Sequence, residues 1–369
     1  MIIHNCKIIT WTKANTILSG QGIRIENERI TEIDKAEALI SRHPQDDLLN
    51  ANGQILMPGL ICAHTHFYGA FSRGLAIPGE PPSNFLEILN KLWWPLDQSL
   101  NEESVRYSAL ICIIDAIKHG TTTIFDHHAS PNFIDGSLDI IEQTVNETGI
   151  RASLCYEVTD RGGQAKAAAG IAENVRMIKK LSGQPKGSRV VAMFGLHASI
   201  TLSDKTLENC AKDVPEGYGF HIHIAEDKVD QVDSLNNHGM RVVERLDKFS
   251  MSGNNSIFVH GVHIERNEME IIRNTKTWLT HQPRSNMNNA VGMSNVEEMI
   301  ASGIPVCMGN DGFSFAMWDE WRTCYLAHKA WTKDPRKMGA DLVTEMAVYN
   351  NALMTSHFFK DRIGTIEVG

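Results

Sequence analysis

The sequence predicts an α/β chain built around a (β/α)8, TIM-like barrel with a small β-rich unit in front of it. Three observations carry this. From Pro58 onward, short β-rich runs alternate with longer patterns of helical period, the rhythm of parallel strands joined by crossover helices. The runs number eight, the strand count of a closed barrel. Nearly every run is followed at once by a histidine or a carboxylate, and the carboxyl ends of barrel strands are where such folds gather their pocket.

Residues 1–57 form the unit in front. Apolar alternation over 1–10, 23–25 and 30–33, and again over 55–57 after the Asn52-Gly53 turn, predicts a small antiparallel sheet. Residues 58–358 then hold the barrel, with strands expected over 60–63, 122–125, 152–156, 190–194, 220–224, 257–259, 277–279 and 305–308. Helices are expected between them over 102–118, 137–148, 165–181, 204–211, 227–248, 266–274 and 295–301. Residues 359–369 end on an apolar, strand-like start with no visible partner, which reads as a returning segment cut short.

Bulk composition narrows the function classes. With 369 residues, 42% hydrophobic and 21% charged, the chain can bury a large core and suits one big domain with an appendage. The formal net charge of -9 and the absence of a Lys/Arg run argue against nucleic acid as a partner. The seven cysteines never form a C-x-x-C pair and mostly sit in apolar runs, as small buried hydrophobes in a reducing compartment do. No basic-then-apolar leader and no membrane-length apolar stretch is present, so the expectation is a cytoplasmic protein with a small-molecule substrate, no membrane partner, and a homodimer as the one self-association to consider.

The strand ends carry the chemistry. His64 and His66 follow the first run, His127 and His128 the second, Glu157 and Asp160 the third, and His197 the fourth. His221, His223 and Glu226 mark the fifth, His260 and His263 the sixth, His281 the seventh and Asp311 the eighth, so ten of the sixteen histidines lie at these ends. Because residues i and i+2 of an extended segment project to one side, His64 and His66 can reach one ion. Alone, such a pair is more often a hydrogen-bonded core pair. His223 and Asp311 at two other strand ends reverse that reading, giving three nitrogens and one carboxylate suited to zinc or iron with a position left for water.

The strings PGLICAHTHFYGAFSRGL, HIHIAE, FVHGVH and GNDG resemble the amidohydrolase superfamily, in its branch of cytosine-deaminase, adenosylhomocysteine-deaminase and chlorohydrolase-like proteins. LWWPLDQSLNEES, DHHASP and RSNMNN are similar to the SsnA group of aminohydrolases. The resemblance implies a metal-dependent hydrolase barrel with a β-sandwich made from both chain ends, of which residues 1–57 supply the first half. It implies His64, His66, His223 and Asp311 as metal ligands, Glu226 as the proton-shuttling carboxylate, His260 beside the reactive water and His197 on the substrate. Many relatives hold two metals through a carbamylated lysine at the end of strand four. Here that end reads FGLHAS with His197 at the polar position, and Lys186 lies before the strand, so one divalent ion per chain is expected, zinc first and iron second.

Water bound to a divalent cation falls in pKa from ~15.7 towards ~7, which supplies hydroxide at neutral pH. Glu226 would protonate a departing amine, too basic to leave unaided, so its presence favours deamination of a nitrogen heterocycle over chloride or alkylamine displacement on a triazine-like ring. A barrel that binds metal or ligand without turnover is the competing class, and it has no need of Glu226. The cytidine-deaminase type is set aside, since its H-x-E and P-C-x-x-C signature has no counterpart. Of the remaining strand-end groups, His221 is expected as a packed core residue, one of His127 and His128 at most on the cleft, and His263 and His281 on substrate or backbone. The DHH letters of a phosphoesterase signature stand without their surrounding pattern. The segment 79–100 is long enough for a lid, though Trp93 and Trp94 are read first as anchors of a helix on the barrel, and Arg284, Asn286 and Asn288 as substrate readers or helix caps.

Overall fold

Apolar alternation in the first 57 positions produces two mixed sheets rather than one antiparallel sheet. The first runs in the order Arg29–Lys35, Gln21–Glu26, Ile2–His4, Leu48–Asn50, and the second in the order Ile17–Ser19, Lys7–Ile9, Ile55–Leu56. Two of the pairings are parallel, Ile2–His4 with Leu48–Asn50 and Lys7–Ile9 with Ile55–Leu56. The helix Ala36–Arg42 turns the chain round before Leu48–Asn50, and a strand arriving after such a crossover lies parallel to its neighbour. The computed structural model describes residues 1–369 with the exception of Lys13 and Lys186, so the expectation placed on Lys186 lies outside the described residues.

The chain's last residues join this unit without forming a strand. Ile366 is buried with Cys6, Ile8 and Ile23, its N–H donates to Thr10 O at 2.9 Å, and Gly369 N–H donates to Ile30 O at 2.9 Å. Arg29 clasps Asp361 with both terminal nitrogens, at 3.0 and 2.7 Å.

The barrel consists of two curved parallel sheets. One contains Leu60–Thr65, Thr121–His128, Arg151–Tyr156 and Val190–Ala192; the other contains Phe194–Ala198, Phe220–Ile224, Ile257–His260, Trp278–His281 and Val306–Met308. The run expected over 190–194 is therefore two short strands broken at Met193, and it continues to Ala198, so that His197 stands inside a strand. At that break a Cβ on Gly195 would lie 2.4 Å from Tyr156 O, and only glycine admits so close an approach.

Buried asparagines staple both seams between the sheets. Asn174 Oδ1 accepts from the N–H groups of Tyr156 at 2.8 Å and Gly195 at 3.2 Å, while its Nδ2 donates to Tyr156 O at 2.7 Å. Asn351 Oδ1 accepts from Met308 N at 2.9 Å, and its Nδ2 donates to Ile61 O at 2.9 Å and Met308 O at 3.1 Å. Ala63, Phe125, Cys155, Met193, Val259 and Cys307, drawn from around the ring, fill the barrel interior, and Met354 and Phe359 of the last helix close one end of it. The other end is left for the site.

Helices expected between strands are present, with one division. The helix expected over 227–248 is two, Lys228–His238 and Val242–Lys248, because Gly239 takes a left-handed φ of 70° and ends the first. Segment 79–100 is largely helical: Phe85–Ile88, Leu89–Trp93 and Trp94–Gln98 follow one another, with the Asn84 side chain accepting from Glu87 N at 3.0 Å at the start. No described helix is long and apolar enough to cross a membrane, and all seven cysteines are free and buried.

Candidate metal centre and cleft

The three histidines and the aspartate separated in sequence meet at one end of the barrel. Asp311 Oδ1 lies 3.0 Å from His64 Nε2 and 3.2 Å from His66 Nε2, and His66 Nε2 lies 3.2 Å from His223 Nε2. The fifth strand delivers His223, and Asp311 follows the eighth, its backbone held at φ 55° while both its own N–H and that of Asn310 donate to His64 O. A left-handed non-glycine residue costs ~1–3 kcal/mol and persists where its surroundings over-determine it. His260, at φ 70°, is the second such residue in the site.

Hydrogen bonding fixes what these nitrogens can do. His66 Nδ1 donates to His127 O at 2.6 Å and His223 Nδ1 to His197 O at 2.7 Å, since a carbonyl can only accept. Neutral rings in these tautomers would set two Nε2 lone pairs against each other and against the Asp311 carboxylate. The arrangement demands positive charge. Burial opposes charge on His66, yet Asp311 outweighs it and holds the imidazole charged up to about 9; burial pushes His64 down to about 3 and His223 well below its usual value, leaving both as neutral donors. Burial would raise Asp311, but the surrounding imidazoles keep it well below the usual carboxylate range. A divalent ion among these groups would supply the positive charge they demand, and the mixed nitrogen and oxygen set suits zinc or iron; within 4.8 Å of one another His64, His223 and Asp311 stand with His260, and His66 stands with His223 and His127.

His260 and Glu226 flank these four groups. His260 Nδ1 donates to Asn286 Oδ1 at 2.9 Å, which aims its otherwise unpartnered Nε2 at Glu226 Oε2, 3.4 Å away, and Asp311 Oδ2, 3.7 Å away. Burial raises the Glu226 carboxyl to about 7, and Asn289 Nδ2 donates to its Oε1 at 3.3 Å. Ser285 Oγ donates to Asp311 Oδ2 at 2.5 Å. A cleft opens over these groups, lined among others by Tyr68, Phe85, Leu89, Trp93, Trp94 and Ile200. His197 also lines it, with Nδ1 2.6 Å from Thr201 Oγ1.

Other strand-end histidines lie behind or beside this centre. His221 is a core residue, its Nε2 2.9 Å from His64 Nδ1. His127 commits one ring nitrogen to Glu157 at 3.2 Å and the other to His221 O at 2.9 Å, so both are engaged by protein groups despite its nearness to His66 and His223. His128 bonds Ser130, and neither member of the pair lines the cleft. His263 donates to Val291 O, and His281 pairs with His328 away from the cleft.

The tryptophans correct the first sequence reading, because the helical segment carrying them lies across the cleft and both line it. Arg284 binds Glu320 and Ser314 O, a structural role; Asn286 orients His260, and Asn288 meets Asn289. Ser285, Asn289 and Asp97 are site residues that sequence reading passed over. Ser285 and Asn289 stand four apart, the spacing that puts two side chains on one helical face, and that spacing is the signal that would have found them.

Comparison with known proteins follows the same line. The profile of the amidohydrolase family matches residues 55–369. The chain is 32% identical over 350 residues to the 5'-deoxyadenosine deaminase of Methanobrevibacter smithii, covering 94% of this chain and 77% of that one. Its fold matches an adenosine deaminase from Xanthomonas campestris with bound zinc at a TM-score of 0.84 and 21% identity, over 100% of this chain and 82% of that one. An atrazine chlorohydrolase from Arthrobacter aurescens, complexed with zinc, matches at a TM-score of 0.83 and 20% identity, over 100% of this chain and 85% of that one.

Proposed function

Since the chain belongs to the amidohydrolase family, we propose that it is a metal-dependent aminohydrolase that deaminates a nitrogen heterocycle, with one divalent ion per chain, zinc before iron, held by His64, His66, His223 and Asp311, whose pairwise approaches support that set. The observation that carries the reading is the meeting of that donor set with Glu226 and His260 beneath a single apolar-walled cleft. A divalent ion bound there supplies the activation of water at neutral pH. Asp311 Oδ2 can receive a proton, and Ser285 keeps that oxygen oriented. His260 Nε2 can hydrogen-bond the attacking oxygen, and Glu226, raised towards neutrality by burial, can carry a proton to a ring nitrogen and then to the departing amine. His197 meets the substrate, whose ring fits between Trp93, Trp94 and Phe85.

Removal of chloride from a triazine-like ring is the second reading, favoured by the fold shared with the chlorohydrolase. Glu226 argues for deamination, because chloride leaves without a proton. The names of the relatives put 5'-deoxyadenosine first among substrates to try. Incubating zinc-loaded protein with aminated and chlorinated heterocycles separates the two readings: ammonia release supports deamination, and chloride release alone overturns it. Free buried cysteines throughout fit a reducing, cytoplasmic setting. Exposed Tyr107, Ile111 and Ile114 on one helix face fit a homodimer, which the mass in solution would reveal.

A further inference from the structure

One wall of the cleft gathers three hydrogen-bond acceptors, on Asp97, Glu157 and His197. Asp97 is 1% exposed; its Oδ2 takes the Arg161 guanidinium at 2.6 Å, while Oδ1 is buried without a partner. Glu157 uses Oε2 on His127 and leaves Oε1 with nothing closer than His197 Nε2 at 3.6 Å and Arg161 Nη2 at 3.9 Å. His197 is an acceptor there as well. The Thr201 hydroxyl donates to Ala198 O at 3.1 Å, so its oxygen accepts from His197 Nδ1, and the neutral ring presents Nε2 as a lone pair. Asp97, Glu157 and His197 all line the cleft.

A buried carboxylate oxygen without a partner is an exception that calls for one, and because Asp97 lines the cleft a bound molecule can supply that donor. No Lys or Arg is among the described residues lining the cleft, and Arg161, stacked on Trp94 at 4.9 Å and bonded to Asp97, is not among them either. Asp227 adds a further carboxylate to the lining. An anion set against Asp97 and Glu157 would meet two carboxylates, whereas an N–H group would complete Asp97 Oδ1 and Glu157 Oε1.

We propose that Asp97, Glu157 and His197 form a specificity subsite that takes the N–H-bearing, neutral or cationic end of the substrate, an amino, amidine or guanidine type of group, and turns away analogues bearing carboxylate or phosphate. The inference rests on the deaminase reading for its substrate and deepens it.

A matched series tests it: adenosine derivatives carrying at the 5' position an amino group, hydrogen alone, or a carboxylate in place of the hydroxymethyl carbon. Ammonia release by the zinc-loaded protein gives kcat/KM for each, and calorimetric titration of zinc-loaded Glu226→Gln gives affinity without turnover. The expected result is an anionic member at least tenfold worse than the neutral one in both measurements, with the amino member equal to or better than the neutral. In Glu157→Gln, and in Asp97→Asn if it retains zinc and its melting temperature, that gap narrows below threefold. An anionic member as good as the neutral one, no binding of the amino member, or a gap unchanged in Glu157→Gln overturns the subsite. Ordered binding without ammonia release leaves the subsite standing and removes the deaminase reading, while ammonia release without charge preference does the reverse.

Discussion

Glu226 and His260 face each other across 3.4 Å, His260 fully buried and Glu226 on the cleft wall. Burial brings the Glu226 carboxyl to about 7, where it can both accept and give a proton near neutrality. Glu226→Gln keeps the size and one acceptor but loses the transfer, so kcat is expected to fall by ~10²–10⁴ with metal content unchanged. Full activity in that variant, measured beside its zinc content, would take Glu226 out of the reaction. Ser285 acts one step removed, by holding Asp311 Oδ2. Ser285→Ala is expected to lower kcat by roughly tenfold, the effect of one charge-assisted hydrogen bond of ~1.5 kcal/mol, with KM little changed. A rise in KM at constant kcat would place Ser285 on the substrate instead.

At the scale of elements, the seam asparagines do what the strand pairing cannot. Between Tyr156 and Gly195, and between Ile61 and Met308, side-chain amides take backbone groups that no neighbouring strand reaches. Asn351→Leu fills similar space but strands the Met308 N–H and two carbonyls in the core, at ~1–3 kcal/mol each, so a loss of about 3–5 kcal/mol in urea unfolding is expected. A loss under 1 kcal/mol would mean that the barrel closes there without the amide. Neither seam was legible in the sequence, because an asparagine inside a helix pattern carries no mark of the strands it bridges. Strand positions and their polar ends were legible, since a parallel strand covered on both faces must be a short apolar run and the groups beyond it have only one place to go. The break at Met193 and the cleft role of Trp93 and Trp94 were not, because both depend on how one element lies across another rather than on its own period.

Across the whole molecule, the proposed ion ties together parts that the chain brings in separately. His64 and His66 come from the first strand, His223 from the fifth and Asp311 from the end of the eighth, so the donor set spans the two sheets and the seam where the barrel closes. Without the ion, His66 is held charged against its own burial by the neighbouring Asp311. A ligand that binds only the folded state adds ~4 kcal/mol when present at a thousand times its dissociation constant. For a chain of this size ~1 kcal/mol corresponds to about 2 °C, so stripping the ion with a chelator is expected to lower the melting temperature by about 8 °C, and re-adding zinc should restore it. In Asp311→Asn the carboxylate is gone and the same treatment should shift the melting point by less than half as much. If chelation moved both proteins equally, the stabilising ion would sit elsewhere, and the four groups would be a polar cluster neutralised by a proton alone.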